Sequence, residues 1–452
     1  MAVSLATRPI FPPVQRARAA ARARPHWAPG ALILALALPP LFLHVEYQPG
    51  VSLGLGSTAV EVELSDLAIL AVVGAAVVFG RRSGFLALRS GWGLWLAIAA
   101  LAGWIVAATL YGPLVLDGYP LLENLVTAAK LVEYSLLAIA VPLLVRSRAV
   151  GPLLTVLVAW SALATLVGLV QFFGADVFDA WNAGLRQPSF LGHNDFAALS
   201  GSVYLLGLWR HVRGQTLVMS RWDSRLAWVA ILSGGLGLVL SAAVAALVGL
   251  APAVAVVAFL GRRALARVAL ALALTGTVAV GVLVLRSGDV ADFLSFAQDD
   301  EAAGAPNVET YSQRTLLAYI GWRVFLDHPV AGVGWQGSSE PAAFGPHLDE
   351  ARARFPDTAP LAFPSSEHRY GVQNAYVQTL ADLGLVGALL LAMVFGAGLL
   401  LGVRAAIRGS PIALLWLLLA LGLWGAQGLV TGIPLAALTW LALGLAASDA
   451  RG

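Results

Sequence analysis

YSQRTLLAYIGWRVFLDHPVAGVGWQG, residues 311–337, and EHRYGVQNAYVQTLADLGLVGALLLAMVF, residues 367–395, decide how this chain is read. The first carries charge and turn residues. The second begins with charge and ends in an unbroken apolar run. With the polar, Pro-rich passage between them, they make a long segment outside the membrane that runs straight back into it. Arginines, histidines and carboxylates gathered at a helix mouth suit a protein that acts on something at the bilayer surface.

The rest of the chain supplies the bilayer. Hydrophobic residues make up 59% of the 452 and charged residues only 12%, against about a quarter charged in soluble proteins. This is the composition of a polytopic membrane protein. There are no cysteines, which excludes disulfides and thiolate metal sites. The net charge of +3 rests on arginines scattered at helix ends, with Lys130 the only lysine, and does not point to nucleic acid. No repeat period is visible. Residues 1–29, with Arg8, Arg16, Arg18, Arg22 and Arg24, read as a basic cytoplasmic anchor rather than a cleaved leader.

Backbone groups in lipid must be satisfied internally, so each long apolar run is expected to be a helix. The runs are Ala31–His44, Leu64–Phe79, Gly91–Leu110, Leu125–Val145, Leu153–Phe173, Ala197–Trp209, Leu226–Leu240, Ala243–Leu260, Val268–Leu285, Val377–Leu401, Ile412–Ala426 and Leu429–Leu445. That makes an all-α polytopic protein of about twelve spans. Pro39-Pro40 break the first run, and Ser241 barely separates the seventh from the eighth. The expected organisation is a basic N-terminus (1–29), a nine-span bundle (30–285), a long extracytoplasmic loop with short helices (286–373), a three-span bundle (374–447) and a tail (448–452).

Arginine placement sets the orientation. With the N-terminus inside, the cytoplasmic connections carry Arg81, Arg82, Arg146, Arg148, Arg210, Arg213, Arg221, Arg225, Arg262, Arg263, Arg404 and Arg408. The outer connections 45–63, 111–124 and 174–193 contain only Arg186. This is the positive-inside bias, and it places both termini in the cytoplasm. An outer arginine that survives this bias is a candidate for a task, and Arg186 is one.

Within the long loop, Ser312 reads as an N-cap and Gln313–Asp327 as a helix. Arg314 then shares a face with Ala318, Gly321 and Phe325, while Arg323 points to the opposite side. A cation in the first turn opposes the helix dipole, so an anion near Arg314 is one reading and a solvated or Glu309-paired arginine the other. Gly332-Val-Gly334-Trp335 reads as a turn, with the Trp an interfacial anchor. In Glu367-His368-Arg369-Tyr370 the imidazole suits a proton acceptor and the guanidinium a phosphate fork, or this is an ordinary polar loop. Asn374 is an N-cap of the next helix and Tyr376 a residue of the aromatic belt. His193-Asn194 either line a site or simply open the sixth span. Lys130 and Glu133, three apart in the fourth span, are placed to pair. Glu61-x-Glu63 and Asp299-Asp300-Glu301 read as solvated acidic loops; hard-oxygen ligation of Mg²⁺ or Ca²⁺ is the alternative.

Several passages, in order, resemble the O-antigen ligase and polymerase superfamily of bacterial inner-membrane proteins. They are LVTAAKLVEYSLLAIAVPLLVRSR, RQPSFLGHNDFAALSG, the paired runs around LVLSAAVAALVGL, RTLLAYIGWRVFLDHPVAGVGWQGS and VQNAYVQTLADLGLVGALLL. The resemblance covers most of 125–401 and implies a bundle like that of the C-type glycosyltransferases. Such proteins take a glycan from undecaprenyl pyrophosphate at the outer leaflet and pass it to a hydroxyl, on lipid A-core, a growing glycan or another acceptor. It further implies inversion at the anomeric carbon, no cofactor and no metal. By position, Arg314 and Arg186 are the pyrophosphate arginines, Asn374 belongs to the family's His-Asn pair, and Asp382 is the acidic residue before Gly-x-x-Gly. On this reading the site comprises His368 and Arg314 as catalytic residues, with Arg186, Arg369, Asn374, Tyr376 and His193 binding substrate and lipid nearby.

Two positions depart from the family pattern. Gln373 stands where the family usually has His, and Ala242 follows Ser241 where it often has Arg. Gln cannot act as a general base and Ala cannot hold pyrophosphate. Either His368, five residues upstream of Gln373, takes the role, or the activity differs from a ligase, tilting toward a polymerase, or transfer is lost. A polytopic transporter or flippase is the alternative, but its two halves would show matching patterns, which these do not. A non-catalytic component of a polysaccharide export system is the third reading.

Overall fold

The computed structural model describes residues 29–55, 58–145, 151–214, 221–287, 308–356, 358–429 and 433–449. The basic N-terminal segment and Asp299-Asp300-Glu301 lie outside the described residues. Each apolar run becomes a helix: α1 (Pro29–Leu41), α2 (Leu64–Ser83), α3 (Trp92–Tyr111), α4 (Leu121–Leu144), α5 (Gly151–Phe172), α6 (His193–Arg213), α7 (Arg221–Ser241), α8 (Val244–Leu260) and α9 (Leu265–Leu285) come first. The long connection then forms α10 (Val308–Asp327) and two short pieces, α11 (Pro341–Phe344) and α12 (Leu348–Arg354). Three more long helices close the chain: α13 (Ala375–Ile407), α14 (Ile412–Leu423) and α15 (Ile433–Asp449). Among the described residues, seven helices are long and apolar enough to cross a membrane, namely α2, α3, α4, α5, α7, α9 and α13. Four shorter apolar helices accompany them: α1, α8, α14 with the turn after it, and α15.

Helix α6 stands apart from both groups because it is the axis of the bundle. From Asp195 to Trp209 every residue is buried, and α5, α7, α8, α9, α14 and α15 all pack on it. A helix wrapped by protein needs small faces more than apolar ones. A Cβ on Gly234 of α7 would lie 2.6 Å from both Ser200 O and Tyr204 N of α6. The two backbones therefore touch.

The departure from an all-helical reading is a hairpin. Strands β1 (Gly50–Leu55) and β2 (Thr58–Glu63) pair antiparallel, with Gly50 opposite Glu63 and Leu55 opposite Thr58. Alternating Val60, Glu61, Val62 and Glu63 carry the period of two that a strand requires. The hairpin delivers Glu63 to the head of α2, where its backbone N–H donates to Asp66 at 2.8 Å. Lys130 of α4 then lies 3.5 Å from Glu63 and 3.4 Å from Asp66. The lysine thus bridges to α2 rather than along its own helix to Glu133, and Glu63 serves an ion pair while Glu61 stays exposed.

Helix α13 is broken at Gly384, whose φ of +65 and ψ of −165 leave the helical region. The groups freed by the break are taken up by the segment after α10. Leu385 N–H donates to Pro329 O, Val333 N–H to Ala381 O, and Gly334 N–H to Asp382 O. The indole of Trp104 takes Leu383 O at 3.0 Å. Such compensation is the condition for irregular backbone at membrane depth. The stretch before Gly384 is thus a separate helical piece pinned to the long loop, and α13 kinks where the two pieces meet. Helix α10 also begins five residues before the sequence reading placed it.

Candidate active site

One end of the bundle holds a cleft of about 820 Å³. Its walls come from the loop before α6, the α7–α8 turn, the end of α9, the face of α10, the start of α13 and the α14–α15 turn. These are the segments that the arginine pattern of the sequence leads one to expect on the outer side.

Three arginines line it: Arg186, Arg286 and Arg314. Arg186 is held by its loop. The Gln187 amide nitrogen donates to the carbonyls of Trp181, Asn182 and Leu185, and Gln171 ties Val177 and Ser189 together. The Arg186 guanidinium then lies over the Trp181 ring, 4.2 Å from its centroid, a cation–π contact. Arg286 is 4% exposed at the end of α9. Arg314 projects from α10 on the face of Ala318, which also lines the cleft. Arg323, on the opposite face, pairs with Glu350 at 3.0 Å.

The backbone adds to this positive field. Helices α6, α8 and α13 all open into the cleft with their N-termini. At α6 and α8 the residues preceding the helix are Gly192 and Ala243, and neither provides a side-chain cap. The tight turn into α8 is reached through Ala242 at φ +44. The positive ends of two uncapped helices face the same space as the guanidiniums, and such ends favour anions.

Gln373 and Asn374 close one side. Arg314 Nε donates to Gln373 Oε1 at 3.0 Å. Asn374 caps α13, accepting from Tyr376 and Val377 N–H, and its amide donates to Gly425 O at 2.9 Å. Asn194 makes the matching bond to Ala426 O, so two asparagines pin one turn. The Tyr376 hydroxyl donates to Leu421 O at 2.6 Å; it braces α13 on α14 and is not among the lining residues. His193 lines the cleft beside Trp181.

His368 and Arg369 are not brought to it. His368 is exposed, with its backbone N–H on Ser365 Oγ. The Arg369 guanidinium grips Glu340, at 3.0 and 3.3 Å from its two oxygens. Asp382 also has a different office: it accepts from the N–H groups of Gln336 and Ser338 and from the Gln378 amide. It fastens the Gly332–Trp335 turn to α13. Trp335, which the sequence suggested as an interfacial anchor, is fully buried with its indole on Thr127.

One cleft wall leads toward lipid. Val244, Ala245 and Val248 line it along a single face of α8, and Val248 is 65% exposed. Polar head space and apolar flank are continuous.

Sequence reading reached Arg186, Arg314, His193 and Asn374 but passed over Arg286 and Gln427. Arg286 carried the same signal as Arg186: an arginine at the end of a span that the sequence reading takes as outer, against the positive-inside bias.

No curated protein matches the chain at a significant level. Residues 226–392 match the family model described as O-Antigen ligase. That stretch holds Arg286, Arg314, Gln373 and Asn374, while Arg186 and His193 reach the cleft from outside it. Over that stretch this helical membrane protein is similar to the O-antigen ligase family.

Proposed function

We propose that the protein transfers a glycan from polyprenyl pyrophosphate to an acceptor hydroxyl at the outer leaflet of the bacterial inner membrane. The observation that carries this reading is the convergence of Arg186, Arg286, Arg314 and two uncapped helix N-termini in one cleft with an apolar flank. A ligand that satisfies both features is an anionic headgroup on a lipid chain. In transfer, the acceptor oxygen bonds to the anomeric carbon from the face opposite the leaving group, which inverts the centre. The sugar–phosphate bond breaks and its electron pair leaves with the pyrophosphate. Fixed guanidiniums and N–H dipoles stabilise that growing charge where water is scarce, which gives the site its positive charge without a metal. Ligase and polymerase differ in the acceptor; the Gln at position 373 favours a polymerase, with the growing glycan as acceptor.

Photoreactive polyprenyl pyrophosphate, irradiated with the protein in nanodiscs, tests the donor site. Labelling of peptides containing residues 242–248 and 313–318, suppressed by unlabelled donor, is expected. Labelling confined to other surfaces overturns the assignment.

A further inference from the structure

His193 is a titratable side chain of the cleft. Both ring nitrogens are shielded from solvent, and neither has a hydrogen-bond partner among the described residues. Trp181 meets the ring edge-on, with centroids 4.4 Å apart. Buried polar groups in native proteins are almost always paired, and leaving one unpaired is costly. A cleft of this size leaves room for a ligand to supply the partner.

The surroundings fix the charge of this ring. His193 lies ahead of the apolar run 197–209, at the mouth of the bundle. Burial first, then Arg186, Arg286 and Arg314, push its pKa down to about 3. The Ser241 carbonyl opposes this from outside hydrogen-bonding geometry. His44 and Asp195 also line the cleft, the Asp195 Oδ1 accepting from Leu435 N–H. In the empty cleft the ring is therefore neutral and keeps a lone pair. An anionic headgroup over the three arginines cancels their part of the depression, so proton affinity rises when the donor binds.

We propose that His193 is the base of the transfer reaction, an inference that rests on the function assigned above. As the acceptor oxygen bonds to the anomeric carbon, its proton passes to an imidazole nitrogen of His193. The sugar–phosphate bond breaks, and its electron pair leaves with the pyrophosphate. The imidazolium then returns the proton to water or to the released pyrophosphate. Donor binding must precede deprotonation, because the donor switches the base on. The residue at 373 need not be His, since the base stands on the opposite wall.

The test compares wild type, His193→Gln, His193→Ala and His368→Ala in nanodiscs, with undecaprenyl-pyrophosphate oligosaccharide and a saccharide acceptor. Both His193 variants should lose roughly 10²- to 10⁴-fold in kcat, as removal of a general base does. They should bind fluorescent polyprenyl pyrophosphate like wild type, which shows that the site is folded. His368→Ala should keep wild-type kcat. The acidic limb of the wild-type kcat–pH profile should vanish from the residual activity of His193→Gln. Wild-type turnover in His193→Gln overturns the proposal, and so does loss of donor binding in both His193 variants, which makes His193 a structural or binding residue. A wild-type protein inert toward every such donor removes the assigned function itself, which is a separate outcome.

Discussion

Arg314 Nε donates to Gln373 Oε1 at 3.0 Å, joining the cleft wall on α10 to a residue two positions before α13. A glutamine at this place cannot move a proton, but its carbonyl oxygen orients a guanidinium. The bond uses Nε, the nitrogen nearest the chain, so it fixes the plane of the fork.

From this follows an expected ordering of variants. Arg314→Ala should lower kcat by roughly 10²- to 10³-fold, as loss of one charge-stabilising donor does. Gln373→Ala should cost about tenfold, and the double variant should be no worse than Arg314→Ala, since partners in one network do not add. Additive losses in the double variant contradict the positioning role.

On the proposed function, Arg286 and Arg186 would hold the same anion, one from a buried position and one from a half-exposed one. Each changed to Ala should weaken inorganic pyrophosphate binding, measured calorimetrically in detergent. Added salt should erode the contribution of half-exposed Arg186 more than that of buried Arg286, because exposed charges are screened first. Equal salt sensitivity speaks against the geometry.

Lys130 holds two buried carboxylates, Glu63 and Asp66, at 3.5 and 3.4 Å. Lys130→Met leaves them uncompensated and should destabilise the protein by about 3–5 kcal/mol, read as a fall in thermal denaturation temperature. Lys130→Met with Glu63→Gln should recover part of the loss. A single variant as stable as wild type contradicts this account.

Much of this was legible in the chain. Helices follow wherever an apolar run must satisfy its backbone in lipid, and Arg186 stood out because the charge bias leaves few arginines outside. What was hidden depends on tertiary contact. Asp382 matched the family's acidic residue before Gly-x-x-Gly, and only its bonds to Gln336 and Ser338 show it fastening a turn. Trp335 matched an interface residue by type and is buried, its indole on Thr127 and its carbonyl accepting from the Tyr119 hydroxyl. Arg369 had the chemistry for phosphate, but Glu340 sits within its reach. The strand pair at 50–63 carried its period of two in so short a stretch that its acidic residues drew the attention instead.

Metal independence is also measurable. Because the positive charge at the cleft is supplied by guanidiniums and helix ends, transfer should continue in EDTA at the untreated rate. Loss of activity that Mg²⁺ restores contradicts this and returns attention to the acidic loops as ligands.

The most direct measurement is glycan transfer by the purified protein in nanodiscs, supplied with undecaprenyl-pyrophosphate oligosaccharide with and without lipid A-core. The account predicts transfer by the wild type that disappears in the combined Arg186→Ala, Arg286→Ala, Arg314→Ala variant. Chain extension without added acceptor identifies a polymerase, and product only with lipid A-core identifies a ligase. Absence of turnover with every such donor, or undiminished transfer by the triple variant, contradicts it.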